Sequence, residues 1–456
     1  MGRTPRPPPA ERRSRSRDAA TALVDAAAEE RARRKLSPAA YQRAIDALGK
    51  QRGRPLMLPL LLGGPAEGAY LRLADGRRVL DWIGGIGVYA FGHGDQALLE
   101  TAAHTAAATP VFQGHLVPGL EQLKLGRLLR RHASKRLRHV WFSLSGAAAN
   151  ENALKMIWQK HAPADHVVVF EGAFAGRTTT LAELTDKPAF REGLPLRGIQ
   201  LTVPFFDPRR RDSVARSLDR LDQHLARNEG KIAAMMFELV QGEGGIRTAP
   251  REFFVALMER CKKAKIAVWV DEVQTYARTG ELFAHRALEL DKYVDVVTAG
   301  KALQGSAVLF RSAYNPKPGL ISGTYAGASA GLAVAARMIE RLQRDRYLGP
   351  DGRIVQLGRR VRQQLGVLAR TIPGAVRDVD GIGAMWAFTP FDGSPAVVNA
   401  VLRAALEEGL LLFSAGGKPM KLRLLLPVNT ANGELVAGFE MLGRALRRVA
   451  EGPEPC

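Results

Sequence analysis

Short apolar runs alternate with amphipathic segments along most of the chain. The runs that read as buried strands are His139–Phe142, His166–Phe170, Ala233–Glu238, Ile266–Asp271 and Val294–Thr298. Segments with helical periodicity, such as Asn150–Lys160, separate them. Because buried strands that alternate with helices are typical of a parallel sheet covered on both faces, the pattern predicts an α/β fold with a mostly parallel central sheet.

The two ends of the chain follow different patterns. Residues 1–20 are rich in Arg and Pro with few apolar positions, which predicts a flexible basic tail. Residues 18–50 predict two short helices interrupted near Ser37–Pro38, and alternation around Asp75 predicts a hairpin over Ala69–Asp81. Strands at Gly383–Phe388 and Lys421–Leu426 predict a smaller α+β domain. The predicted organisation is a tail (1–20), an N-terminal segment (21–80), a large domain (81–330) and a small domain (331–456).

Composition limits the class of protein. The chain has 456 residues, of which 46% are hydrophobic and 24% charged, so it can bury a large core and is not wholly disordered. No apolar run approaches the roughly 20 residues of a membrane-spanning helix, and the start lacks a secretory signal. We therefore expect a cytoplasmic protein with no membrane partner. Cys261 and Cys456 have no Cys or His at metal-ligand spacing, so no metal site is expected.

Charge is the unusual feature of the composition. Sixty-six Lys and Arg against 45 Asp and Glu give a formal net charge of +21. Such a surplus favours binding to nucleic acids or anionic membranes. Here it is spread along the chain without a recognition motif, so specific nucleic-acid binding is not expected. Attraction of anionic small molecules is the milder inference.

The residues that follow the predicted strands are the candidates for chemistry, because ligands of an open α/β sheet bind beyond the carboxyl ends of its strands. After His139–Phe142 comes a Ser-, Gly- and Ala-rich turn that leads into a helix. Exposed backbone N–H groups at that helix start would bind a phosphate. The alternative is an ordinary turn in which Ser145 caps the helix.

Three further residues each allow two interpretations. Asp271 would partner a protonated ring nitrogen, or it caps a helix or forms a salt bridge. Lys301, between apolar segments, would form a Schiff base, or it extends to solvent as most lysines do. Phe174 would stack on a flat ring, or it belongs to the core. Taken together in this order, an anion site, a ring face, an acid and a lysine are the groups that pyridoxal phosphate requires.

From about Tyr70 to Leu446 the chain resembles the class III aminotransferases, enzymes of pyridoxal-phosphate fold type I. The stretches that carry the resemblance are Gly85–Asp95, Phe142–Glu151, Ala173–Thr178, Phe237–Gly245, Trp269–Gly280, Thr298–Leu303 and Gly323–Gly327. The resemblance implies a large domain with a mostly parallel central sheet, a smaller α+β domain, pyridoxal phosphate as cofactor, and a homodimer with shared active sites.

The resemblance also implies residue roles. Lys301 and Asp271 are similar to the catalytic lysine that forms the Schiff base and the acid that holds the pyridine nitrogen. The implied cofactor contacts are Gly146 and Ala147 at the phosphate, Phe174 and Val273 on the ring faces, Gln274 at the ring hydroxyl, and Thr324 lent to the phosphate of the neighbouring subunit. The implied substrate contacts are Ile86 in the pocket wall and Glu243, which masks the carboxylate-binding Arg423.

The sequence departs from the family pattern at several positions. Ala148 stands where Glu is usual, Ala175 where His is usual, and Ala328-Ser329 where Asn-Pro is usual, and the stretch after Gln274 is one residue shorter. None of these departures removes cofactor chemistry; they bear on the substrate and on the outer binding shell.

The implied function is transfer of an amino group from an amine or ω-amino acid to a keto acid, with 2-oxoglutarate as the expected acceptor. Acetylornithine, lysine at its ε-amino group, 4-aminobutyrate and diamines all remain open as donors. Two other functions remain open as well. One is an aminomutase or racemase that uses the same cofactor, and the other is a basic binding protein without catalysis.

Overall fold

A computed structural model describes residues 9–108 and 116–452, and the side chains from residue 16 onward. Its α-helices are α1 (Pro9–Arg33), α2 (Pro38–Gln51), α3 (Gly84–Gly87), α4 (Gln96–Ala108), α5 (Leu120–His132), α6 (Gly146–His161), α7 (Thr179–Leu184), α8 (Ser213–Arg227), α9 (Arg251–Lys263), α10 (Ala284–Ala287), α11 (Ser329–Arg344), α12 (Arg353–Thr371), α13 (Pro395–Glu407) and α14 (Asn432–Glu451). Short 3₁₀ turns lie at Pro188–Phe190, Lys301–Leu303 and Ser312–Tyr314.

The strands are β1 (Tyr70–Arg72), β2 (Arg78–Asp81), β3 (His139–Ser143), β4 (His166–Phe170), β5 (Gln200–Val203), β6 (Ile232–Glu238), β7 (Val240–Gln241), β8 (Arg247–Thr248), β9 (Ala267–Glu272), β10 (Val296–Ala299), β11 (Ser306–Phe310), β12 (Arg377–Ile382), β13 (Met385–Thr389), β14 (Leu410–Leu411), β15 (Phe413–Gly416) and β16 (Met420–Leu425). The five strands predicted for the central sheet and the two predicted for the small domain all correspond to observed strands, with ends shifted by at most two residues.

The central sheet has seven strands in the order β3-β11-β10-β9-β6-β4-β5. Among the strands of this sheet only β11 runs in the opposite direction, and it pairs antiparallel with its two neighbours, β3 and β10. Alternate residues of β9 face two different apolar clusters, Ala267 and Trp269 on one side, Val268 and Val270 on the other. Both faces are therefore covered, as the apolar runs predict. The expected α/β fold with a mostly parallel central sheet is confirmed.

Side-chain caps explain where several helices begin. Ser37 accepts a hydrogen bond from the backbone of Ala40, with Pro38 at the first helical position of α2. This cap produces the interruption predicted near Ser37–Pro38. Ser145 accepts from the backbone N–H of Ala148 and starts α6 in the same way. The cap fixes the start of α6 directly beyond β3, at the carboxyl edge of the sheet.

The two smaller sheets join distant parts of the chain. Strands β12-β13-β16-β15 form an antiparallel sheet near the C-terminus, as expected for the small domain. The predicted hairpin is present as β1 and β2, and β2 also pairs in parallel with β14. The N-terminal segment is therefore completed by a strand that follows it by more than three hundred residues.

Each of the three predicted domain boundaries falls within an observed helix or strand. The boundary at residue 20 falls inside α1, which begins at Pro9 and contacts α4 through Thr21 to Glu100 (2.8 Å) and Ser16 to His104 (2.8 Å). Residues 9–20 are thus helical rather than irregular, while residues 1–8 lie outside the described part. The boundaries at 80 and 330 fall inside β2 and α11. The division of the chain into domains stays a prediction.

No helix within residues 9–108 and 116–452 is long and apolar enough to cross a bilayer.

Candidate active site

A cavity of about 290 Å³ lies at the carboxyl edge of the central sheet. Strands β6 and β9, the start of α6 and the 3₁₀ turn at Lys301 supply its walls. Most of the residues assigned to the site from sequence line it together: Gly146, Ala147, Phe174, Glu243, Asp271, Val273, Gln274 and Lys301. The structure therefore brings to one place residues that are separated by as many as 155 positions in the sequence.

Asp271 lies at the end of β9 with only 7% of its surface exposed. One carboxylate oxygen accepts the backbone N–H of Val273 at 2.8 Å, and the other accepts the side-chain amide of Asn150 at 2.7 Å. Burial raises the pKa of Asp271 to about 6, although these hydrogen bonds and the charge of Lys301 oppose the rise. A cation beside this carboxylate would remove the burial cost, which fits the predicted ring-nitrogen partner.

Lys301 begins the 3₁₀ turn that follows β10, in the left-handed region with a φ of 50°. A non-glycine residue in this region is strained, and such residues occur often at functional sites. Burial first, and then the nearby charge of Arg423, lowers the pKa of Lys301 to about 8. The amine is therefore neutral far more often near pH 7 than that of a surface lysine, as nucleophilic and proton-transfer roles require.

Glu238 was not assigned to the site from sequence. It ends β6 and lies opposite Asp271 in the parallel pairing of β6 with β9. Its carboxylate accepts the backbone N–H groups of Phe174 (2.8 Å) and Gly242 (3.3 Å). Burial, and then the adjacent Asp271, raises the pKa of Glu238 to about 8. The site therefore has two neighbouring carboxyl groups, of which Glu238 retains its proton to the higher pH.

The predicted phosphate cup is located at the N-terminus of α6. Gly146 and Ala147 occupy the first helical positions, where backbone N–H groups have no acceptor within the helix. The side chain of Ser145 is used as the cap of the helix at 3.1 Å from the N–H of Ala148. The interpretation of Ser145 as a helix cap is thus confirmed. Gly146 and Ala147 also line the cavity, so binding of a phosphate at this helix start stays a prediction.

Val273 packs closely against two glycines. A Cβ atom on Gly146 would lie 2.6 Å from Cγ1 of Val273, and one on Gly300 would lie 3.2 Å from the same atom. Phe174 also lines the cavity and makes an edge contact with Phe190 at 6.3 Å between ring centroids. Val273 and Phe174 are thus both available to contact a flat ring.

Two buried amide oxygens in the cavity have no hydrogen-bond partner among the described residues. They are Oε1 of Gln274 and Oδ1 of Asn150. Buried polar atoms without partners are rare in native proteins and indicate a missing partner such as a ligand. The donors, acceptors and apolar walls around this cavity fit pyridoxal phosphate, the cofactor implied by the sequence.

Glu243 and Arg423 form an ion pair at the edge of the cavity. Nη1 of Arg423 donates to Oε1 of Glu243 at 2.7 Å, and the Arg423 side chain is only 1% exposed. Although burial opposes it, the charge of Arg423 holds the pKa of Glu243 below its ordinary value. The pair connects the loop that follows β7 with β16 of the small sheet. The contact predicted between these two residues is present.

The structure does not place Ile86 and Thr324 in the cavity wall. Ile86 lies in the glycine-rich turn Gly84–Gly87 with a φ of 59°, and it packs on an apolar cluster that includes Val240, a residue of the cavity wall. Thr324 is exposed and lies outside the cavity of its own subunit. A contact of Thr324 with the phosphate of a neighbouring subunit stays a prediction.

Arg177 lines the cavity as well, although the sequence analysis did not assign it a role. Its guanidinium carbon lies 4.2 Å from the ring centroid of Phe190. Arg177 follows Phe174 by three residues in a loop after a predicted strand, and that position could have identified it as a candidate site residue from the sequence.

The residues at which the sequence departs from the family pattern make local contacts in the structure. Ala175 is buried, its carbonyl accepts from Asn150 at 2.7 Å, and its N–H donates to Thr185 at 3.0 Å. Ala148 donates its N–H to Ser145, and Ala328 and Ser329 begin α11. In the shortened stretch after Gln274, Arg278 is fully buried and donates to the carbonyls of Gly87 and Leu426. Burial lowers the pKa of Arg278 to about 10.

Comparison with known proteins gives a family match over most of the chain. The sequence model for "Aminotransferase class-III" matches residues 57–446. An acetylornithine aminotransferase of Thermosynechococcus vestitus is 28% identical over 84% of this chain and 92% of its own length. A 5-aminovalerate aminotransferase of Pseudomonas putida is 29% identical over 82% of this chain and 91% of its own.

Solved structures agree with these sequence relatives. A lysine aminotransferase from M. tuberculosis, solved in the internal aldimine form, superposes with a TM-score of 0.78. It is 25% identical in sequence, and the superposition covers 88% of this chain and 99% of the other.

Proposed function

The chain belongs to the class III aminotransferases, and from that premise we propose that it moves the amino group of an ω-amino acid or related primary amine to 2-oxoglutarate. Members of this family are transaminases that depend on pyridoxal phosphate. The observation that carries the finer proposal is the ion pair of the buried Arg423 with the partly buried Glu243 at the cavity edge. An arginine that can be covered by an acid suits a site that must accept two differently charged substrates in turn.

The electrostatics of that pair support transamination between unlike substrates. A keto acid presents a carboxylate next to its reacting carbon, and Arg423 can bind it through charge-assisted hydrogen bonds. An ω-amine has no carboxylate at that end, so an uncovered Arg423 would repel the cationic donor. Glu243 neutralises Arg423 in the described state, which is the state suited to the amine.

The residues around the cavity have distinct proposed tasks. When bound, pyridoxal phosphate supplies an electron sink for the carbon that carries the amino group. Asp271 would hold a proton on the pyridine nitrogen, while the backbone N–H groups of Gly146 and Ala147 would bind the phosphate. Nζ of Lys301 would take a proton from the reacting carbon and return it one position away, helped by its lowered pKa.

The donor is proposed from the cavity and from the relatives together. The relatives are named after acetylornithine, 5-aminovalerate and lysine, amines that also carry a carboxylate. Arg177 lines the cavity and offers a second cation besides Arg423. An ω-amino acid is thus a better match than a diamine, whose far end would be repelled.

The homodimer is part of the proposal. Thr324 is exposed and separate from the cavity of its own subunit, which leaves it available to a neighbouring one. Mixing subunits that carry Lys301→Ala with subunits that carry Thr324→Ala provides a test. If sites are shared, both variants are impaired alone, and the mixed dimer has one site with both defects and one site with neither.

A donor panel tests the function. The cofactor-loaded enzyme is mixed with 5-aminovalerate, 4-aminobutyrate, lysine, acetylornithine or cadaverine, and the absorbance of the bound cofactor is followed. We expect conversion by at least one ω-amino acid, and return of the original spectrum with one equivalent of glutamate after 2-oxoglutarate is added. Turnover without any keto acid would instead indicate an aminomutase or racemase, and no spectral change would indicate a binding protein.

A further inference from the structure

Two buried carboxyl groups lie side by side at the ends of β6 and β9. Glu238 is the last residue of β6, and it lies opposite Asp271 in the parallel pairing of the two strands. Both residues are 7% exposed, and both line the cofactor cavity. A buried carboxyl group is costly unless hydrogen bonds satisfy its oxygens, so the groups that Glu238 contacts indicate its role.

Each of the two carboxyl groups accepts a hydrogen bond from the backbone of a residue expected on the cofactor ring. Oδ1 of Asp271 accepts the N–H of Val273 at 2.8 Å. Oε2 of Glu238 accepts the N–H of Phe174 at 2.8 Å. Because β6 and β9 are neighbours in one sheet, about 4.8 Å apart, these bonds fix the two loops relative to one another. The slot between Val273 and Phe174 is thus set by two adjacent strand ends.

The second oxygen of Glu238 contacts the loop that carries Glu243. Oε1 of Glu238 accepts the N–H of Gly242 at 3.3 Å. The carbonyl of Glu243 accepts the N–H of Gly416 at 2.8 Å. The backbone beside Glu243 is therefore held from two sides, which leaves its side chain to pair with Arg423 or to leave it.

The loops that Glu238 contacts pack closely against each other and against Gln274. A Cβ atom on Gly242 would lie 2.4 Å from Oε1 of Gln274, and one on Gly244 would lie 3.0 Å from the carbonyl oxygen of Gly172. Gly172 lies in the loop after β4, and the other two glycines lie in the loop after β7. The loop of the ring contact and the loop of the ion pair therefore adjoin, with Glu238 hydrogen-bonded to both.

We propose that Glu238 is a positioning residue of the transaminase, in which one oxygen holds Phe174 against the cofactor ring. Its other oxygen anchors the loop on which Glu243 covers Arg423. Glu238 acts through these loops rather than on the reacting atoms. The proposal rests on the function proposed above for the pair of Glu243 and Arg423, and it adds a link between the fit of the cofactor and the change of substrate.

Two variants separate the oxygens of Glu238. Glu238→Gln keeps one oxygen for the N–H of Phe174 and loses the acceptor for Gly242, while Glu238→Met has a similar length and no acceptor of comparable strength. Burial, and then Asp271, raises the pKa of Glu238 to about 8, so both variants change the charge little near pH 7. Glu171→Gln, at an exposed carboxylate of the Phe174 loop, is the control.

Binding of a cofactor analogue tests the contact with Phe174. Cofactor-free protein is titrated in a calorimeter with 4′-deoxypyridoxine 5′-phosphate, which has no aldehyde and so cannot bond to Lys301. We expect Glu238→Met to weaken binding about tenfold, because Phe174 is no longer held at the ring. Glu238→Gln and the control should bind as the wild type does. Equal affinity of Glu238→Met and the wild type would overturn this half of the proposal.

Half-reactions of the cofactor-loaded enzyme test the contact with Gly242. Without that anchor Glu243 should leave Arg423 more readily, which favours the keto acid and disfavours the amine. In Glu238→Gln we therefore expect the half-saturating concentration of 2-oxoglutarate to fall and that of the amine to rise, each about threefold, with both limiting rates unchanged. A merely structural defect would shift both concentrations in the same direction, and that result, or no shift in either, would overturn the anchor.

Hydrogen exchange of the cofactor-free protein separates the role of Glu238 from the function. We expect faster exchange at residues 239–247 in both variants, and in Glu238→Met at residues 171–178 as well. If exchange follows this pattern but no amine reacts with the wild type, the proposed function fails and the positioning role stands. Unchanged exchange in both segments would refute that role whatever the enzyme transfers. If Glu238→Met does not fold, exchange and half-reactions of Glu238→Gln decide alone.

Discussion

Replacing Glu238 by glutamine would remove a carboxyl group that faces Asp271 at the carboxyl ends of two paired strands. Glutamine has nearly the same shape and keeps one oxygen to accept the N–H of Phe174. Its amide nitrogen cannot accept the N–H of Gly242, which now lies 3.3 Å from a carboxylate oxygen. The substitution thus changes the charge that this position can carry and sacrifices one long hydrogen bond.

The pKa of Glu238 sets the size of the effect. Burial, and then Asp271, raises that pKa to about 8 from an ordinary value of 4.5. Between these values the unfolded chain has lost a proton that the folded protein keeps, so stability falls as the pH rises from about 4.5 to about 8. Below 4.5 both states are protonated and the loss is absent. At 1.36 kcal/mol per pKa unit, the full loss is at most about 5 kcal/mol and is complete above pH 8.

Urea unfolding of the cofactor-free protein between pH 5 and pH 8.5 measures this loss. At pH 5 the glutamine variant should be about as stable as the wild type, because its lost hydrogen bond (about 1 kcal/mol) offsets the loss that the wild type already shows there. At pH 8.5 the variant should be more stable by several kcal/mol. Glu171→Gln is the control, since Glu171 is exposed and should leave the wild-type profile unchanged. Parallel pH profiles for Glu238→Gln and the wild type would refute the reasoning.

Four substitutions test the assigned site. Lys301→Ala should abolish turnover and the visible absorbance of the lysine-linked cofactor while circular dichroism is unchanged, and near-normal turnover would exclude Lys301 as the nucleophile. Asp271→Asn should fold and retain some cofactor but lose at least about a hundredfold in rate, since the ring nitrogen is no longer held protonated; equal rates would contradict that role. Arg423→Ala should cost about 2–5 kcal/mol in the half-reaction with 2-oxoglutarate and far less in that with the amine, and single-turnover rates with equal losses would make Arg423 structural. Gly146→Ala should weaken cofactor binding about tenfold in a titration, because the new methyl group would lie 2.6 Å from Cγ1 of Val273; unchanged affinity would show that Val273 can move.

The strand pattern and the strand-end residues were predictable because they depend on local sequence. The run His166–Phe170 is β4 with the same two ends, since a short segment of four apolar residues after one histidine has few alternatives inside a covered sheet. Asp271 and Lys301 could be found because each directly follows such a run. Their convergence follows from the parallel pairing of β9 with β10, in which all carboxyl ends meet at one edge.

What the sequence did not reveal depends on contacts between distant segments. Glu238 lies within a predicted strand, but its proximity to Asp271 depends on the register between β6 and β9. The antiparallel β11, inserted between β3 and β10, was not predicted, because nothing in its own five residues specifies its partners. Helix α1 begins earlier than expected, and its contacts with α4 include hydrogen bonds from Ser16 and Thr21 that the sequence pattern did not reveal.

The pairing of β2 with β14 has a consequence for how the chain folds during synthesis. A ribosome makes β2 about 330 residues before β14, which at 5–20 residues per second is a delay of roughly 20 to 70 seconds. Strand β3 likewise has no partner until β11 has been synthesised, because β11 is its only neighbour among the strands of the central sheet. During these intervals the nascent protein carries strand edges with unpaired N–H and C=O groups, which are prone to aggregation. Production of this enzyme should therefore depend on chaperones that bind the emerging chain more strongly than its stability, once complete, would suggest.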